Sequence, residues 1–260
     1  MVTRSRYRGR LVGTCITLLL GLPLSLGSET PPPSPSLDRG VLPARWTEDK
    51  PDCSSAAPFR VHEYNPTFFI LRQSGCTNFE KPFLYLLLGS REALLVDTGA
   101  NTRVIDGQVE ALTEFFHLPK WPEDVAHYDL GDRVIDVVPI PGHQGASIAI
   151  YDRRTGILLT GDTLYSGRLY VRDAKAFAAS VDRLVEFTRT KDVAHVLGAH
   201  VENTRTPYVD YPEGTAFQPD EHSLELGRAH LLELQEALRQ MGDGLQRRSL
   251  RDFTVWPVAR

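Results

Sequence analysis

The side chains of this sequence best suited to chemistry fall where apolar runs end. Leu94-Leu95-Val96 runs into Asp97, followed by Thr98 and Gly99. Val138-Pro139-Ile140-Pro141-Gly142 runs into His143, with Ser147 four residues on. Leu158-Leu159-Thr160-Gly161 runs into Asp162, and Leu197-Gly198-Ala199 runs into His200. Imidazole and carboxylate groups hold divalent metals and carry protons in acid–base catalysis. Singly, each stretch has an ordinary reading: Gly-Asp forms turns, and a histidine at a strand end is usually a satisfied surface or core residue. Several of them on successive strand ends are how layered α/β proteins assemble a site along one edge.

The elements that must position them follow from periodicity. Residues 59–62, 67–71, 83–88 and 93–97 are short β-branched, aromatic and leucine runs, the last two joined by a turn at 89–92. They predict consecutive antiparallel strands. Over 103–116 the period changes: Val104, Ile105, Val109, Leu112, Phe115 and Phe116 share one helix face, and Pro119 and Pro122 stop it. A second β run starts near Tyr128 and continues through strands at 134–140, 147–151 and 156–160. An amphipathic helix at 174–190 carries Phe177, Val181, Leu184, Val185 and Phe187. A strand at 193–197 and a helix at 223–241, with Leu224, Leu226, Leu231, Leu234 and Leu238, complete the pattern. This order predicts an α/β fold of two sheets with helices outside.

Composition sets the outer bounds. The 260 residues are 42% apolar and 24% charged, a globular balance. A net charge of -4 gives no basic face for nucleic acid. Arg4, Arg6, Arg8 and Arg10 precede an apolar run from Leu11 to Leu26 that ends in Ser25-Leu26-Gly27. Residues 1–27 therefore read as a secretory signal, cleaved between Gly27 and Ser28. The run is broken by Gly13, Gly21 and Pro23 and is short beside the roughly 20 apolar residues of a spanning helix. An uncleaved anchor is the rival reading. The expected location is secreted or periplasmic, without stable membrane insertion once the signal is removed. Residues 28–57, with Pro31-Pro32-Pro33, read as a Pro/Ser-rich linker, 58–241 as the folded domain and 242–260 as a tail. Cleavage removes Cys15 and leaves Cys53 and Cys76. In an oxidising compartment they either pair, pinning the linker to the first strands, or stay as thiols.

In order, Asp97-Thr98-Gly99, Pro141-Gly142-His143, Gly161-Asp162 and His200 resemble the motif series of the metallo-β-lactamase superfamily. The resemblance runs from about Phe59 to about Met241. Pro-Gly-His and Leu-Leu-Thr-Gly-Asp-Thr are more similar to the glyoxalase II-like and lactonase-like branches than to the antibiotic-degrading enzymes. The resemblance implies an αββα sandwich with zinc along one edge. It gives His143 to the first metal, Asp162 to the bridge between two metals, as the catalytic carboxylate, and His200 to the second metal. Asp97 takes the place of the carboxylate that orients the metal-binding loop without touching metal. The implied reaction is zinc-dependent hydrolysis of a small ester, lactone or thioester, in which zinc-bound hydroxide attacks the carbonyl. Arg168, Tyr170 and Arg172, just after Gly-Asp, either face an anionic small-molecule substrate or belong to a solvated loop.

The sequence also departs from this family. Its histidines stand at 62, 117, 127, 143, 195, 200, 222 and 230, so it contains no His-x-His, and no Asp-His pair occurs. The family's Thr-His-x-His-x-Asp-His motif, which supplies most of the metal shell, is missing. A strand, a loop and a helix are missing with it, and Ala100–Asn101 is the expected junction. Two histidines and a carboxylate can hold one hydrolytic zinc, but the family geometry divides these three between two ions. His117 and His127 are the substitutes considered. The expectation is a superfamily relative that binds zinc poorly and hydrolyses little. The alternative is a non-catalytic binding module or deletion remnant that uses the old cleft.

Overall fold

The structure is a computed structural model and describes residues 36–46, 52–100, 120, 122–242 and 244–258. Consecutive hairpins build the first sheet: β1 (Phe59–Asn65), β2 (Phe68–Gln73), β3 (Phe83–Leu88) and β4 (Ala93–Val96), antiparallel and in chain order. Alternation along β2 turns Phe68 and Ile70 inward, and both are fully buried. Among the described residues β4 pairs only with β3.

The chain continues through β5 (Ala126–Asp129), β6 (Val134–Pro139), β7 (Ile148–Asp152), β8 (Ile157–Gly161), β9 (Arg168–Val171) and α1 (Ala174–Phe187). After these come β10 (His195–Gly198), β11 (Glu225–Leu226), α2 (Arg228–Met241), β12 (Arg248–Ser249) and β13 (Thr254–Pro257). The second sheet has the order β11-β10-β8-β7-β6-β5, and β12-β13-β9 forms a third, smaller sheet.

The unbroken apolar run of β8 is explained by cover on both faces. Ile157 and Leu159 pack with Phe68, Ile70 and Leu87 of the first sheet. Leu158 packs on the other side with Phe177, Val181 and Leu184 of α1 and Leu231, Leu234 and Leu238 of α2. Each such side chain contributes about 1.5–3 kcal/mol by leaving water. Asp173 caps α1 by accepting from the Ala176 N–H at 3.0 Å. The layers run sheet, sheet, helix, as an αββα sandwich requires. The helix expected over 103–116, and its layer, lie outside the described residues. Among the described residues no helix is long and apolar enough to cross a membrane.

One buried ion pair ties the sheets together. Arg133 and Asp152 are both without solvent exposure, and the guanidinium donates to the carboxylate at 3.1 and 2.6 Å. A further arm of Arg133 donates to the carbonyls of Thr67 and Leu88 in the first sheet, at 2.5 and 3.1 Å.

Three sequence expectations are corrected. Residues 36–46, assigned to the linker for their composition, pack on the domain: Trp46 is buried, edge-on to Phe83 at 5.0 Å. The Asp38 N–H also donates to the Arg154 carbonyl at 2.8 Å. Residues 242–260, assigned to a tail, contribute β12 and β13, with Phe253 and Val255 fully buried beside β9. The helix expected from 223 starts at Arg228, because Glu225 and Leu226 pair with the edge of β10 instead. That pairing satisfies strand backbone that a helix would leave open. The two cysteines are paired: Cys53 bonds Cys76 across 23 residues. Closing a loop of that length contributes about 3 kcal/mol.

Candidate active site

Strand register explains how the strand-end residues meet. β8 and β10 run parallel, and Gly161 lies opposite Gly198. Asp162 and His200, one and two residues further on, therefore leave the sheet at the same edge. β6 and β8 each pair antiparallel with β7, so β6 ends at that edge too and delivers His143. The turn before His143 is tight. Gly142 has φ +142°, and a Cβ there would lie 2.4 Å from the Cα of Phe177. Its carbonyl accepts from the Arg172 and Asp173 N–H groups, each at 3.0 Å, so α1 sits directly on the turn.

Both imidazoles are oriented by backbone. His143 Nδ1 donates to the Tyr170 carbonyl at 2.9 Å, and His200 Nδ1 donates to the Glu80 carbonyl at 3.1 Å. Their Nε2 atoms face Asp162, His143 toward Oδ2 at 3.4 Å and His200 toward Oδ1 at 3.3 Å. With Nδ1 protonated, a neutral imidazole presents a lone pair at Nε2. Lone pairs facing a carboxylate are stable only with a proton or a cation between them. Asp162 Oδ1 is buried without an aligned hydrogen-bond partner, so the 3.3 Å approach of His200 Nε2 is a contact rather than an aligned bond. Burial works against charge on both groups, but His200 and His143 hold the Asp162 carboxyl below its ordinary range. Asp162 in turn, with the Glu80 carbonyl, raises His200.

This arrangement fits a divalent metal in donor type and spacing. Ligands about 2.0–2.2 Å from a tetrahedral zinc lie roughly 3.4 Å apart. It does not fill a metal shell, however. Each oxygen of Asp162 meets one histidine, which gives two half-sites of two donors. Among the described residues, no group of three or more His, Cys, Asp and Glu side chains forms a metal cage. His127, a considered substitute, instead contacts Asp136 through Nδ1 at 2.6 Å, away from the cleft. His117 lies outside the described residues.

A cleft of about 320 Å³ opens in front of the three residues, and Arg168, Tyr170 and Arg172 line it. Arg168 is no free cation for a substrate: it pairs with Glu202 at 3.0 Å and Asp210 at 2.8 Å. Burial opposes its charge, and Glu202 more than restores it. Its Nε donates to the Tyr170 hydroxyl oxygen at 3.2 Å, which leaves the phenol proton for the cleft. Burial and Glu202 keep that proton on by raising the Tyr170 pKa. Arg172 is exposed, with no ion-pair partner among the described residues. Asp97 does not join the cleft. Its carboxylate accepts from the Thr98 and Gly99 N–H groups at 2.5 and 2.8 Å, closing its own turn at φ +71°.

Two cleft residues carried no signal in the sequence. Lys81 is buried, and its Nζ donates to the carbonyls of Phe79 and Thr215 at 2.9 and 2.8 Å. Burial, with Arg72 nearby, lowers its pKa to about 8. Gln218 is also buried, and its carboxamide oxygen has no partner.

Comparison with known proteins bears on this geometry. A family model described as the metallo-beta-lactamase superfamily matches residues 104–234, half of the chain. The chain is 35% identical over 75 residues to the acyl-coenzyme A thioesterase MBLAC2 of Gallus gallus, covering 27% of each protein. It is also 35% identical over 77 residues to the Homo sapiens protein of that name, covering 28% of this chain and 27% of that one. The matched part thus spans about a quarter of the length of these curated relatives. Among solved structures, a metallo-beta-lactamase from Pontibacter korlensis is 13% identical with a TM-score of 0.44, covering 70% of this chain and 99% of that one. A metallo-beta-lactamase family protein from Thermus thermophilus is 18% identical with a TM-score of 0.41, covering 71% and 85%.

Proposed function

The chain belongs to the metallo-β-lactamase superfamily, and from that premise we propose that it descends from hydrolases of small esters, thioesters or lactones and is itself impaired in metal-dependent turnover. One observation carries this reading: each oxygen of Asp162 is faced by a single histidine, and the sequence contains no His-x-His-x-Asp-His motif to supply the remaining donors of a two-metal shell. Zinc, when bound, would lower the pKa of its water and polarise the substrate carbonyl. His143, Asp162 and His200 are the residues that would hold it. The chain's own contribution is positioning. The carbonyls of Tyr170 and Glu80 fix the imidazoles, and the Tyr170 hydroxyl offers a proton to an oxygen in the cleft. The partial likeness to acyl-coenzyme A thioesterases favours a thioester among the three substrate classes.

The test is metal content with turnover. After purification and dialysis the protein is expected to hold well under one zinc per chain, because each lost ligand removes free energy that offsets zinc dehydration. Hydrolysis of a panel of short acyl thioesters, lactones and nitrophenyl esters is expected to stay near background. Two tightly held zinc ions per chain, or turnover above about 1 s⁻¹, would overturn this reading.

Export is part of the proposal. The Arg-rich, then apolar, amino terminus and the disulfide both suit an oxidising compartment. Mass spectrometry of exported protein should find a chain that starts at Ser28 and is two hydrogens lighter than its reduced form. An intact Met1 terminus on a soluble cytosolic chain would contradict it.

A further inference from the structure

Lys81 places an amine in the wall of the cleft without a counter-ion. It is 5% exposed, lines the cleft and makes no ion pair among the described residues. Its two acidic neighbours are engaged elsewhere: Arg72 holds Glu221 at 3.0 Å, and Arg168 holds Glu202 at 3.0 Å. Buried ammonium groups are normally paired with an opposite charge. Without one, burial and then the Arg72 charge hold the Lys81 pKa at about 8, against the weaker pull of Glu221 and Glu202. Its backbone lies at φ +47°, in the left-handed region that a lysine rarely adopts. Such strain clusters at functional sites.

The hydrogen bonds of Lys81 suit a neutral amine. Nζ donates to the carbonyls of Phe79 and Thr215 at 2.9 and 2.8 Å, and both residues also line the cleft. Beyond these two bonds and Cε, a tetrahedral nitrogen has one direction left, and no acceptor meets it among the described residues. In the ammonium form that direction carries a third proton, and in the amine it carries the lone pair. Deprotonation therefore breaks no bond, and the two carbonyls keep the nitrogen in place. At pH 7, a pKa of about 8 instead of 10.5 leaves roughly 300-fold more neutral amine than an ordinary lysine has. Desolvation of this kind is how a lysine becomes a nucleophile.

We propose that Lys81 is a covalent modification site, whose amine takes the acyl group of a short acyl thioester that enters the cleft. The inference rests on the cleft receiving thioesters and adds an acyl acceptor within this chain. The Nζ lone pair attacks the thioester carbonyl carbon, and the carbon–sulfur bond breaks. The departing thiolate takes up the proton that the nitrogen releases, so the products are an amide and a thiol, with no further reactant. The amide keeps one N–H, so one of the two carbonyls loses its donor. An amide is far more stable to water than a thioester, so each chain reacts once. Cleft size favours a short acyl group: about 320 Å³ is the lower end of ligand-pocket volumes.

The experiment is peptide mapping by mass spectrometry after the whole protein is incubated with S-acetyl-N-acetylcysteamine, a small neutral thioester. The lysines are at 50, 81, 120, 175 and 191, so each is read separately. Lys81 is expected to be acetylated about 10- to 100-fold faster than the exposed Lys175 at pH 7. The excess of neutral amine sets that advantage, trimmed because a less basic nucleophile is weaker. Its rate should level off above about pH 8 while that of Lys175 keeps rising. Lys81→Met should remove the fast adduct. If that variant fails to fold, the parent chain in urea decides, because unfolding should erase the preference. Equal rates at Lys81 and Lys175, a Lys81 rate that keeps rising with that of Lys175, or a preference that survives in urea overturns the proposal. Formaldehyde with cyanoborohydride is run beside the thioester as an amine reagent of another class. Fast methylation of Lys81 without acetylation overturns the proposal together with the thioester reading, whereas no preference for Lys81 with either reagent overturns the proposal alone.

Discussion

Asp152→Ala is expected to lower the free energy of unfolding by about 3–5 kcal/mol, the cost of leaving one member of a buried pair without its partner. Arg133 is fully buried and cannot reach water. Its remaining bonds go to neutral carbonyls, those of Thr67 and Leu88, which orient the guanidinium without balancing its charge. The Thr155 hydroxyl and the Arg154 N–H lose the same acceptor, at 2.5 and 3.2 Å. Since a domain is stable by only about 5–15 kcal/mol, the variant should unfold at clearly lower urea. Asp152→Asn keeps the shape and isolates the charge. The double variant Arg133→Met/Asp152→Leu should recover most of the loss, because an apolar pair of similar volume needs no solvation. A single-variant loss below about 1 kcal/mol, the size of an exposed pair, would show that water enters the site.

Ending the chain at Gly242 is expected to abolish stable folding. The removed segment contains Phe253 and Val255, fully buried, and Leu250 at 9% exposure. Returning them to water costs about 1.5–3 kcal/mol each, which together approaches the whole margin of a domain. β13 is also the parallel partner of β9 over Arg168 to Val171, so β9 would lose its one partner strand among the described residues. Asp252 is lost as well, and with it the contacts to His222 and His230, each at 3.2 Å. The truncated chain should be insoluble, or should lose its near-ultraviolet circular dichroism. A soluble truncated chain melting within a few degrees of the parent would contradict the burial argument.

The sequence is legible where a pattern is local. Leu158-Leu159-Thr160-Gly161 reads as a buried strand feeding a turn, and the strand lies there with Asp162 just beyond it. His143 and His200 are found for the same reason: parallel pairing of β8 and β10 brings His200 to that edge, and antiparallel pairing through β7 brings His143 there. Partnerships between distant positions are not legible. β9 is four residues with an arginine in front, and only its pairing with β13, more than eighty residues on, makes it a strand. Nothing near Arg168 announces that Glu202 and Asp210 neutralise it. Composition misled at both flanks: Pro and Ser mark residues 36–46 as linker, while Trp46 sits in the core. Lys81 and Gln218 belong to loops without periodicity, so their shared cleft is a product of the fold alone.

Gly142 has no functional group, yet it works as the fulcrum of the site. The backbone of Phe177 rests on it so closely that no side chain lies between them to turn and absorb a displacement. A larger residue at 142 would have to displace backbone rather than a side chain, and the next residue along is His143. The outer face of α1, with Lys175, Ala179, Asp182 and Glu186, is exposed. No residue of α1 lines the cleft, so the helix meets the site from behind, at the turn that carries Gly142 and leads into His143.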